Sequence, residues 1–343
     1  MFFLTYQAMK PTDFSKYLTG FLTGYLAHER GASKHTIKAY RDTFVLFIGY
    51  MQTQGISVSK LSLENINQGA VVGFLDWLQS ERKNSNATRN ARLAAVHAFF
   101  SYVQYQNPEH LHEFQKILSI PMKSKSVIPM SYLSIDAIKM LLQQPDIHTV
   151  KGRRDLALLS LLYDTAARVQ EIIDLTPSSL RLDKLSTIRI AGKGNKTRII
   201  PMLADQVRLL RPYLEEHGLV QAHKHTHPLF FNSRSEKLTR AGVNHILQKY
   251  ANMARKLKPE LIPVISPHSL RHSKAMHLLQ AGVNLVYIRD ILGHVSVQTT
   301  EVYARADSRA KREAIEKAYI SVVPEKDPVW LSNENLLDWL KLF

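Results

Sequence analysis

A short segment bounded by two prolines, PMKSKSVIP at residues 121–129, interrupts a chain whose apolar residues otherwise recur mostly at helical spacing. Proline has no backbone N–H and restricts the residue before it, so a helix does not run through this segment. On either side the chain is long enough to form a domain with its own core. We therefore predict two domains, over residues 13–118 and 131–322, joined by a linker over residues 119–130.

The N-terminal domain is predicted to be a bundle of four or five helices. Apolar residues recur at helical spacing in four stretches, which cover residues 14–25, 33–55, 71–78 and 86–103. Gly31 follows the first stretch and is well placed to end its helix. We expect the aromatic residues of these stretches to lie in the core.

The chain carries a large excess of positive charge. It has 45 Lys and Arg residues against 29 Asp and Glu, which gives a formal net charge of +16. An excess of this size indicates either an anionic partner or a role in solubility, and nucleic acid is the commonest such partner. An acidic membrane surface is the competing explanation, but the basic residues are scattered along the chain and do not form one cluster. We therefore expect a nucleic-acid partner.

Two groups of residues near the end of the first domain are candidates for contact with nucleic acid. The fourth helical stretch has a polar side made of Asn86, Thr88, Arg89, Asn90 and Arg92. Arg89 and Arg92 suit phosphates and base edges, so the first turn of this helix could enter a major groove. A solvated helix face explains the same pattern equally well. In the linker, Lys123 and Lys125 could run along a nucleic-acid backbone.

The sequence has no cysteine, which excludes disulfides, thiolate catalysis, zinc ribbons and iron–sulfur clusters. Its apolar start, MFFLTYQAMK, lacks a basic region and is too short for a signal peptide. No run of about 18 apolar residues could span a membrane. We expect a soluble protein of the cytoplasm, associated with the nucleoid.

The C-terminal domain is predicted to be mainly helical with a small antiparallel β-sheet. Helices are predicted from the apolar pattern over residues 134–142, 151–163, 203–217, 240–257 and 285–292. Two short β-type runs, over 185–191 and 197–202, flank the sequence GKGNK, whose glycines allow a tight hairpin that projects Lys193 and Lys196. The spacing of a P-loop is absent, so we expect no bound nucleotide.

Three histidines at alternate positions, His223, His225 and His227, are the one candidate metal site in the sequence. Three imidazoles can bind zinc, and on a strand these three would share a face. No carboxylate is close enough in sequence to orient them, however. We therefore favour an exposed loop and expect no metal.

Residues 266–305 place His268, Arg271 and His294 before a phenol, Tyr303. A phenol has a pKa of roughly 10 and is a poor nucleophile at neutral pH. Neighbouring Arg and His side chains would favour its anion and would also bind a phosphate. Pro267 fixes the start of a helix that carries the first two of these residues on one face. The segment is therefore a candidate site for chemistry on a phosphate.

An arginine far upstream is a second candidate. Arg168 follows the break of an apolar helix and starts the next one, so packing on both sides can aim its side chain. An ion pair with Glu171 explains this arginine more simply when it is considered alone.

Five short motifs, taken together, resemble those of the tyrosine recombinases of the phage-integrase and Xer type. They are TAARVQE (165–171), GKGNKTR (192–198), HSLR (268–271), LGH (292–294) and YAR (303–305). Each motif alone is weak, but their order and spacing make the resemblance specific, and it covers roughly residues 13–320. The N-terminal bundle is similar to the core-binding, SAM-like domain of this family. One departure is Ala166, which stands where the family usually has glycine. Its Cβ narrows the range of backbone conformations that are allowed at this position.

The resemblance implies a reaction on duplex DNA that needs no ATP, metal or other cofactor. Tyr303 would attack a scissile phosphate to give a 3′-phosphotyrosine and a free 5′-hydroxyl. Arg168 and Arg271 would clamp the non-bridging phosphate oxygens as charge builds up on them.

The remaining motif residues would assist. Lys193 would protonate the leaving 5′-oxygen, His268 would help to activate Tyr303, and His294 would hydrogen-bond the phosphate. Glu171 would brace the site without reacting. From the hairpin motif we also expect Lys196 and Arg198 to contact DNA.

The resemblance also implies an assembly: a homotetramer on DNA, with a dimer on each of two paired sites. We predict a separate tail over residues 323–343 that ends in a short helix, and expect residues 329–343 to pack on a neighbouring protomer. Packing of this tail on its own domain is the alternative.

Three functions are compatible with these residues. A site-specific recombinase, acting in integration, excision, transposon or cassette mobility or dimer resolution, is favoured by the compact size and the Xer-like spacing. A type IB topoisomerase or telomere resolvase would share the residues without exchanging partners. A DNA-binding protein that had lost the chemistry is disfavoured, because none of the six expected catalytic positions is missing.

Overall fold

The computed structural model describes residues 11–124, 132–192, 196–306 and 340–341. The chain divides into two units, Met1–Ile128 and Pro129–Phe343, and this division falls within the predicted linker. Lys125, Lys193 and almost all of the predicted tail lie outside the described residues. Within the described ranges, no helix has both the length and the apolar character needed to cross a membrane.

The N-terminal unit is a helical bundle, as predicted. Its helices are α1 (Asp13–Thr19), which continues as a π-helical segment (Gly20–Glu29), α2 (Lys34–Thr53), α3 (Gln68–Ser80), α4 (Asn86–Val103) and α5 (Leu111–Leu118). The side chains of Ser33, Asn67 and Ser85 cap α2, α3 and α4 by accepting backbone N–H groups. The apolar spacing predicted neither the π-helical segment nor α5 as a separate helix.

Aromatic residues form the core of this unit, which confirms the expectation from their helical spacing. Phe21, Phe44 and Phe99 pack edge to face in a cluster whose ring centroids are 5.0 to 6.4 Å apart. Each of these three side chains is at most 2% exposed. Burial of large rings accounts for much of the stability of so small a domain.

The polar side of α4 differs from the expectation, because two of its members are buried. Asn90 hydrogen-bonds the backbone of Lys123 twice, by donating from Nδ2 to the carbonyl at 2.7 Å and by accepting its N–H at Oδ1 at 3.1 Å. Arg89 is 5% exposed and donates to the carbonyl of Pro121. The start of the linker therefore lies along α4 and covers the face that was expected to be open.

The C-terminal unit is mainly helical with one small sheet, as predicted. Its helices are α6 (Ile135–Leu142), α7 (Val150–Asp164), α8 (Val169–Ile173), α9 (Ala204–Glu216), α10 (Arg240–Leu257), α11 (Pro267–Gln280), α12 (Leu285–Leu292) and α13 (Gln298–Ala306). Its strands are β1 (Leu180–Arg181), β2 (Thr187–Ala191) and β3 (Thr197–Pro201), in an antiparallel sheet of order β1-β2-β3. The sequence did not indicate β1, because two residues are too few to show a strand pattern.

Two apolar clusters fix the elements that carry the candidate site. The larger one surrounds α7, in which Leu158, Leu159, Leu161 and Leu162 are all buried. The smaller one contains Tyr303 together with residues of α11, α12 and the loop after α7, namely Ala166, Ala275, Met276, Ile288 and Leu292. Tyr303 is therefore a core residue of the second cluster.

The histidine-rich segment forms a short 3-10 turn at Ala222–Lys224 and then a loop. His223 and His225 are exposed, in agreement with the loop that the sequence favoured. Among the residues that the structure describes, no group of three His, Asp or Glu side chains is placed to hold a metal ion.

Candidate active site

The break between α7 and α8 positions Arg168. The chain leaves α7 through Ala166, which has a φ of +48° and is fully buried. Arg168 directly precedes α8 and donates two hydrogen bonds to Glu171, each of 2.8 Å. Its backbone N–H donates to Oε2 and its Nη1 donates to Oε1. The Arg168 side chain remains 41% exposed. The ion pair that the sequence suggested is thus present, and it holds an accessible guanidinium group in a fixed direction.

Glu171 is shared with a second arginine, Arg198 of β3. Arg198 donates from Nη2 to Glu171 Oε2 at 2.7 Å and from Nε to the carbonyl of Ile291 at 2.8 Å. Burial by itself would raise the pKa of Glu171, but the hydrogen bonds from Arg198 and Arg168 outweigh it and lower the pKa. Glu171 is therefore ionised and joins β3 to the start of α8.

Arg271 of α11 is the largest fully buried side chain in the described part of the chain, at 1% exposed. It donates from Nη1 to the carbonyl of Ala166 and from Nη2 to the carbonyl of Leu292, each at 2.7 Å. Burial and the nearby Arg168 lower its pKa to about 10, so it still carries its charge at neutral pH. Two carbonyl dipoles thus hold a buried cation, and no salt bridge to a carboxylate is present for it among the described residues.

The phenol of Tyr303 lies next to two histidines of α11. Its hydroxyl is 2.9 Å from Nδ1 of His272, and the rings of His272 and His268 meet edge to face at a centroid distance of 4.2 Å. Tyr303 is 2% exposed. Burial raises the pKa of Tyr303 more than Arg271 and Arg168 lower it. The arginines therefore favour the anion, as expected, but desolvation of the phenolate is the larger effect and the net shift of the pKa is upward.

His294 lies in the turn after α12, directly beyond the helix that was predicted over residues 285–292. Gly293 ends this helix in the left-handed region, with a φ of +64°. The ring of His294 is half-buried, and its Nδ1 is 2.9 Å from Oγ1 of Thr300. Burial and Arg271 lower the pKa of His294 to about 4, so the ring is neutral. If Nδ1 accepts the Thr300 hydroxyl proton, Nε2 carries the ring proton and is free to donate.

An open cleft of about 1000 Å³ lies beside these residues, and its lining includes Arg168, Lys196, Arg198 and His294. Tyr303 and Arg271 are buried and are not part of this lining. The cleft is open and is lined by several basic side chains, which are the groups that bind phosphates.

The structure thus brings together five of the six residues predicted to be catalytic, namely Arg168, His268, Arg271, His294 and Tyr303, with Glu171 as their support. Lys193 lies outside the described residues, although its neighbours Gly192 and Lys196 line the cleft. Of the residues predicted to contact DNA, Lys123 and Lys196 are exposed, whereas Arg92 hydrogen-bonds Ala39 and Thr43 within the first unit.

Two contacts of the site were missed by the sequence. His272 was not singled out, although it follows His268 by four residues and so shares its helix face. Thr300, which holds His294, gave no signal, because a threonine near the start of a helix is common. The i,i+4 spacing of the two histidines could have identified the first contact.

Comparison with known proteins assigns the chain to a family. Residues 131–309 match the phage integrase family, and residues 19–107 match the phage integrase N-terminal SAM-like domain. The chain is 34% identical to the putative integrase/recombinase y4rC of Sinorhizobium fredii, over 96% of this chain and 98% of that protein. It is 32% identical to the tyrosine recombinase XerC of Myxococcus xanthus, over 86% of this chain and 95% of that protein.

A solved structure agrees with these matches. The XerH site-specific recombinase bound to a palindromic difH substrate superposes with a TM-score of 0.65 at 25% identity, over 84% of this chain and 81% of that one. The described fold, the order of the five motifs and the two family matches all agree. The chain therefore belongs to the phage integrase family, and it is a site-specific tyrosine recombinase, an enzyme that binds DNA and cuts and rejoins it.

Proposed function

We propose that Tyr303 is the nucleophile of this recombinase. Its hydroxyl oxygen attacks the scissile phosphate, forms a 3′-phosphotyrosine ester and releases a free 5′-hydroxyl. Because the ester conserves the free energy of the phosphodiester, the reverse attack can rejoin a strand without ATP or a metal. The supporting observation is that a buried phenol, two arginines and three histidines converge beside a basic cleft.

In this mechanism Arg168 and Arg271 hold the non-bridging oxygens of the phosphate. Arg271 is a buried cation held by carbonyl oxygens, so an incoming phosphate would supply the negative charge that its surroundings lack. Arg168 is accessible and is kept in place by Glu171. Fixed cations of this kind stabilise the charge that develops in the transition state without reorganising during the reaction.

The other groups handle protons and hydrogen bonds. His294 donates from Nε2 to the phosphate, since Thr300 occupies its Nδ1. His268 assists the proton transfers at Tyr303. Lys193 protonates the leaving 5′-oxygen, a role that rests on the resemblance of the GKGNKTR motif. The exposed Lys123 and Lys196 contact the DNA backbone, and Lys125, two residues after Lys123 in the linker, does the same.

We further propose that the enzyme acts as a homotetramer on two paired sites, in the cytoplasm, and that residues 329–343 pack on a neighbouring protomer. The support is the family resemblance, together with the short charged segment between Pro324 and Pro328, which precedes this region in the sequence and could act as a connector. A lambda integrase has been solved as a dimer on a core site, and its similarity to this chain, at 18% identity, shows the fold alone.

The assignment of the nucleophile is tested with DNA that the protein itself selects. Duplexes with a randomised core are first selected for binding to the protein. A selected sequence is then synthesised with a single nick close to the cleavage point. Cleavage of this DNA releases a short fragment, so the strand cannot be rejoined. We expect a covalent protein–DNA complex that resists denaturing electrophoresis.

Two variants identify the phenol. Tyr303→Phe should form no covalent complex, because the nucleophilic oxygen is gone. Tyr287→Phe is the matched control, since Tyr287 is 66% exposed, lines the cleft and is the other phenol of the α12–α13 region, and phenylalanine keeps its ring. It should form the complex at the wild-type level. If the covalent complex persisted in Tyr303→Phe and disappeared in Tyr287→Phe, Tyr287 would be the nucleophile and the assignment to Tyr303 would be refuted.

A further inference from the structure

The hydroxyl of Tyr303 has one hydrogen-bond partner among the described side chains, and that partner is His272. The distance from Nδ1 to the hydroxyl oxygen is 2.9 Å, and the two ring centroids are 5.7 Å apart. No comparable contact joins the hydroxyl to His268, whose ring instead lies against that of His272. The histidine in reach of the nucleophilic oxygen is therefore the second one on α11.

The position of His272 follows from the helix that carries it. His268 and His272 are one turn apart on α11, so their side chains lie on the same face. Arg271 and Ser273, on either side of His272 in the sequence, are buried at 1% and 0% exposure and fix the rotation of the helix. Since α13 packs against α11 through Tyr303, the contact belongs to the packed core.

The chemistry at Tyr303 requires a proton acceptor at this place. Burial raises the pKa of the phenol, so the free anion is rarer than in water. A general base must lie within hydrogen-bond reach of the proton that it removes. Burial, followed by the nearby His268 and Arg271, lowers the pKa of His272 to about 4. Its ring is therefore neutral at pH 7, and Nδ1 can accept the phenolic proton.

We propose that His272 is the general base that accepts the proton of Tyr303 when the phenol attacks DNA, an inference that rests on the proposed function of Tyr303. The O–H bond breaks and its proton passes to Nδ1 of His272. The oxygen forms a bond to phosphorus, and the bond from phosphorus to the 5′-oxygen breaks. That leaving oxygen takes a proton from Lys193.

Rejoining runs through the same groups in reverse. The 5′-hydroxyl attacks phosphorus and gives its proton back to Lys193, while the phenolate leaves and regains its proton from the His272 imidazolium. The charged phosphate, once bound, favours the imidazolium that cleavage creates, so DNA itself makes His272 a stronger base.

Several charged or titratable groups surround His272, so its titration is that of a cluster. They are His268 and Arg271 on its own helix, Tyr303 from α13 and His294 from the turn after α12. The pKa values read from a pH–rate profile would therefore belong to this whole cluster of residues and could not be assigned to His272. For this reason the test compares variants at one pH.

The test measures the single-turnover rate of covalent complex formation on the selected, nicked DNA. His272→Asn places an amide where Nδ1 stood, so it can hydrogen-bond the phenol but cannot take its proton. His272→Ala removes both functions. If His272 is the base, both variants should react about 100-fold more slowly than the wild type, or slower still.

A matched control lies on the same helix. His277 also pairs with a tyrosine through Nδ1, since the hydroxyl of Tyr163 is 2.8 Å away, and burial also lowers its pKa. Among the described side chains its ring contacts are with Tyr132 and Tyr163, neither of which is a proposed catalytic residue. His277→Asn should therefore react at the wild-type rate, which separates loss of a base from the general effect of replacing a half-buried histidine of α11.

A second readout tests the proton transfer itself. A fluorinated tyrosine at position 303 has a more acidic phenol and depends less on a base. With it, the rate penalty of His272→Asn should shrink about tenfold or more. If His272→Asn fails to fold, as judged by its melting curve, the same comparison is made with His272→Gln, whose amide is equally unable to accept the proton.

A near-wild-type rate for His272→Asn would overturn the inference, because hydrogen bonding alone would then suffice. A penalty that the fluorinated tyrosine leaves unchanged would also overturn it, since His272 would then act by position. Either result would leave the proposed function intact, provided that the wild type still forms the Tyr303-dependent complex. Failure of the wild type to form that complex would instead refute the proposed function.

Discussion

At the scale of single residues, Ala166 shows how a backbone conformation serves the site. Its φ of +48° lies in the left-handed region, which residues with a Cβ avoid. The turn that it makes presents its carbonyl to Arg271, and its methyl group packs in the cluster that contains Tyr303. The Cβ has two opposing effects, because it strains the backbone and fills the core.

We expect Ala166→Gly to be nearly neutral for stability, within about 1 kcal/mol in the free energy of unfolding. Glycine relieves roughly 1 kcal/mol of left-handed strain but gives up about 0.8 kcal/mol of methyl burial. Ala167→Gly is the control, because Ala167 is 1% exposed but does not have a positive φ. Ala167→Gly should lower the free energy of unfolding by about 1 kcal/mol more than Ala166→Gly does, as measured by urea unfolding. Equal losses would mean that Ala166 is unstrained.

At the scale of elements, Arg198 joins three parts of the site. From β3 it reaches Glu171 at the start of α8 and the carbonyl of Ile291 in the last turn of α12. Gly293 follows this turn, and a Cβ at that position would come within 2.9 Å of Nη1 of Arg198. The arginine therefore fixes the turn that carries His294, and its side chain is only 11% exposed. These contacts favour a positioning role over the DNA contact expected from the sequence.

We expect Arg198→Ala to lower the free energy of unfolding by about 2 kcal/mol, because it removes hydrogen bonds to a charged, buried partner. It should also slow DNA cleavage, while its affinity for DNA should change little. Thermal or urea unfolding and binding at several salt concentrations measure these effects.

Lys196→Ala provides the comparison, since Lys196 is exposed and lines the same cleft. Its free energy of unfolding should stay within about 0.5 kcal/mol of the wild type. The slope of the logarithm of its DNA-binding constant against the logarithm of salt concentration should fall by about one. If Arg198→Ala showed that same pattern, Arg198 would be a DNA contact after all.

At the scale of the whole molecule, positive charge is the dominant property, and the proposed assembly builds on it. The formal net charge of +16 makes binding to DNA strongly dependent on salt, and this attraction does not depend on the order of bases. Exchange of strands between two sites requires more than affinity, since several active sites must act in turn. The proposed exchange of residues 329–343 between protomers would couple cleavage to assembly.

Deletion of residues 326–343 should therefore abolish recombination and leave simple DNA binding unchanged. A plasmid with two copies of the selected site reports recombination, and retardation of a single-site duplex in a gel reports binding. If the shortened protein still recombined the plasmid at the wild-type rate, the exchange of the tail would be refuted. If it failed to bind a single site, the tail would instead belong to the fold of its own domain.

The sequence by itself determined the features that depend on local interactions. Most helix limits followed from apolar spacing, and Gly31, which was predicted to end the first helical stretch, has a positive φ. The order of five motifs identified the family and the candidate catalytic residues. Each of these signals lies within a few residues of the chain, where steric limits and hydrogen bonds act whatever the rest of the fold does.

Only the tertiary structure decided which polar groups meet. The contact of His272 with Tyr303 joins residues 31 positions apart, and the contact of Arg198 with Ile291 joins residues 93 positions apart. Burial likewise reversed the expected direction of the Tyr303 pKa and hid Arg89 and Asn90 under the start of the linker. Desolvation and long-range hydrogen bonds depend on what packs against a side chain, and a residue's neighbours in the sequence do not specify it.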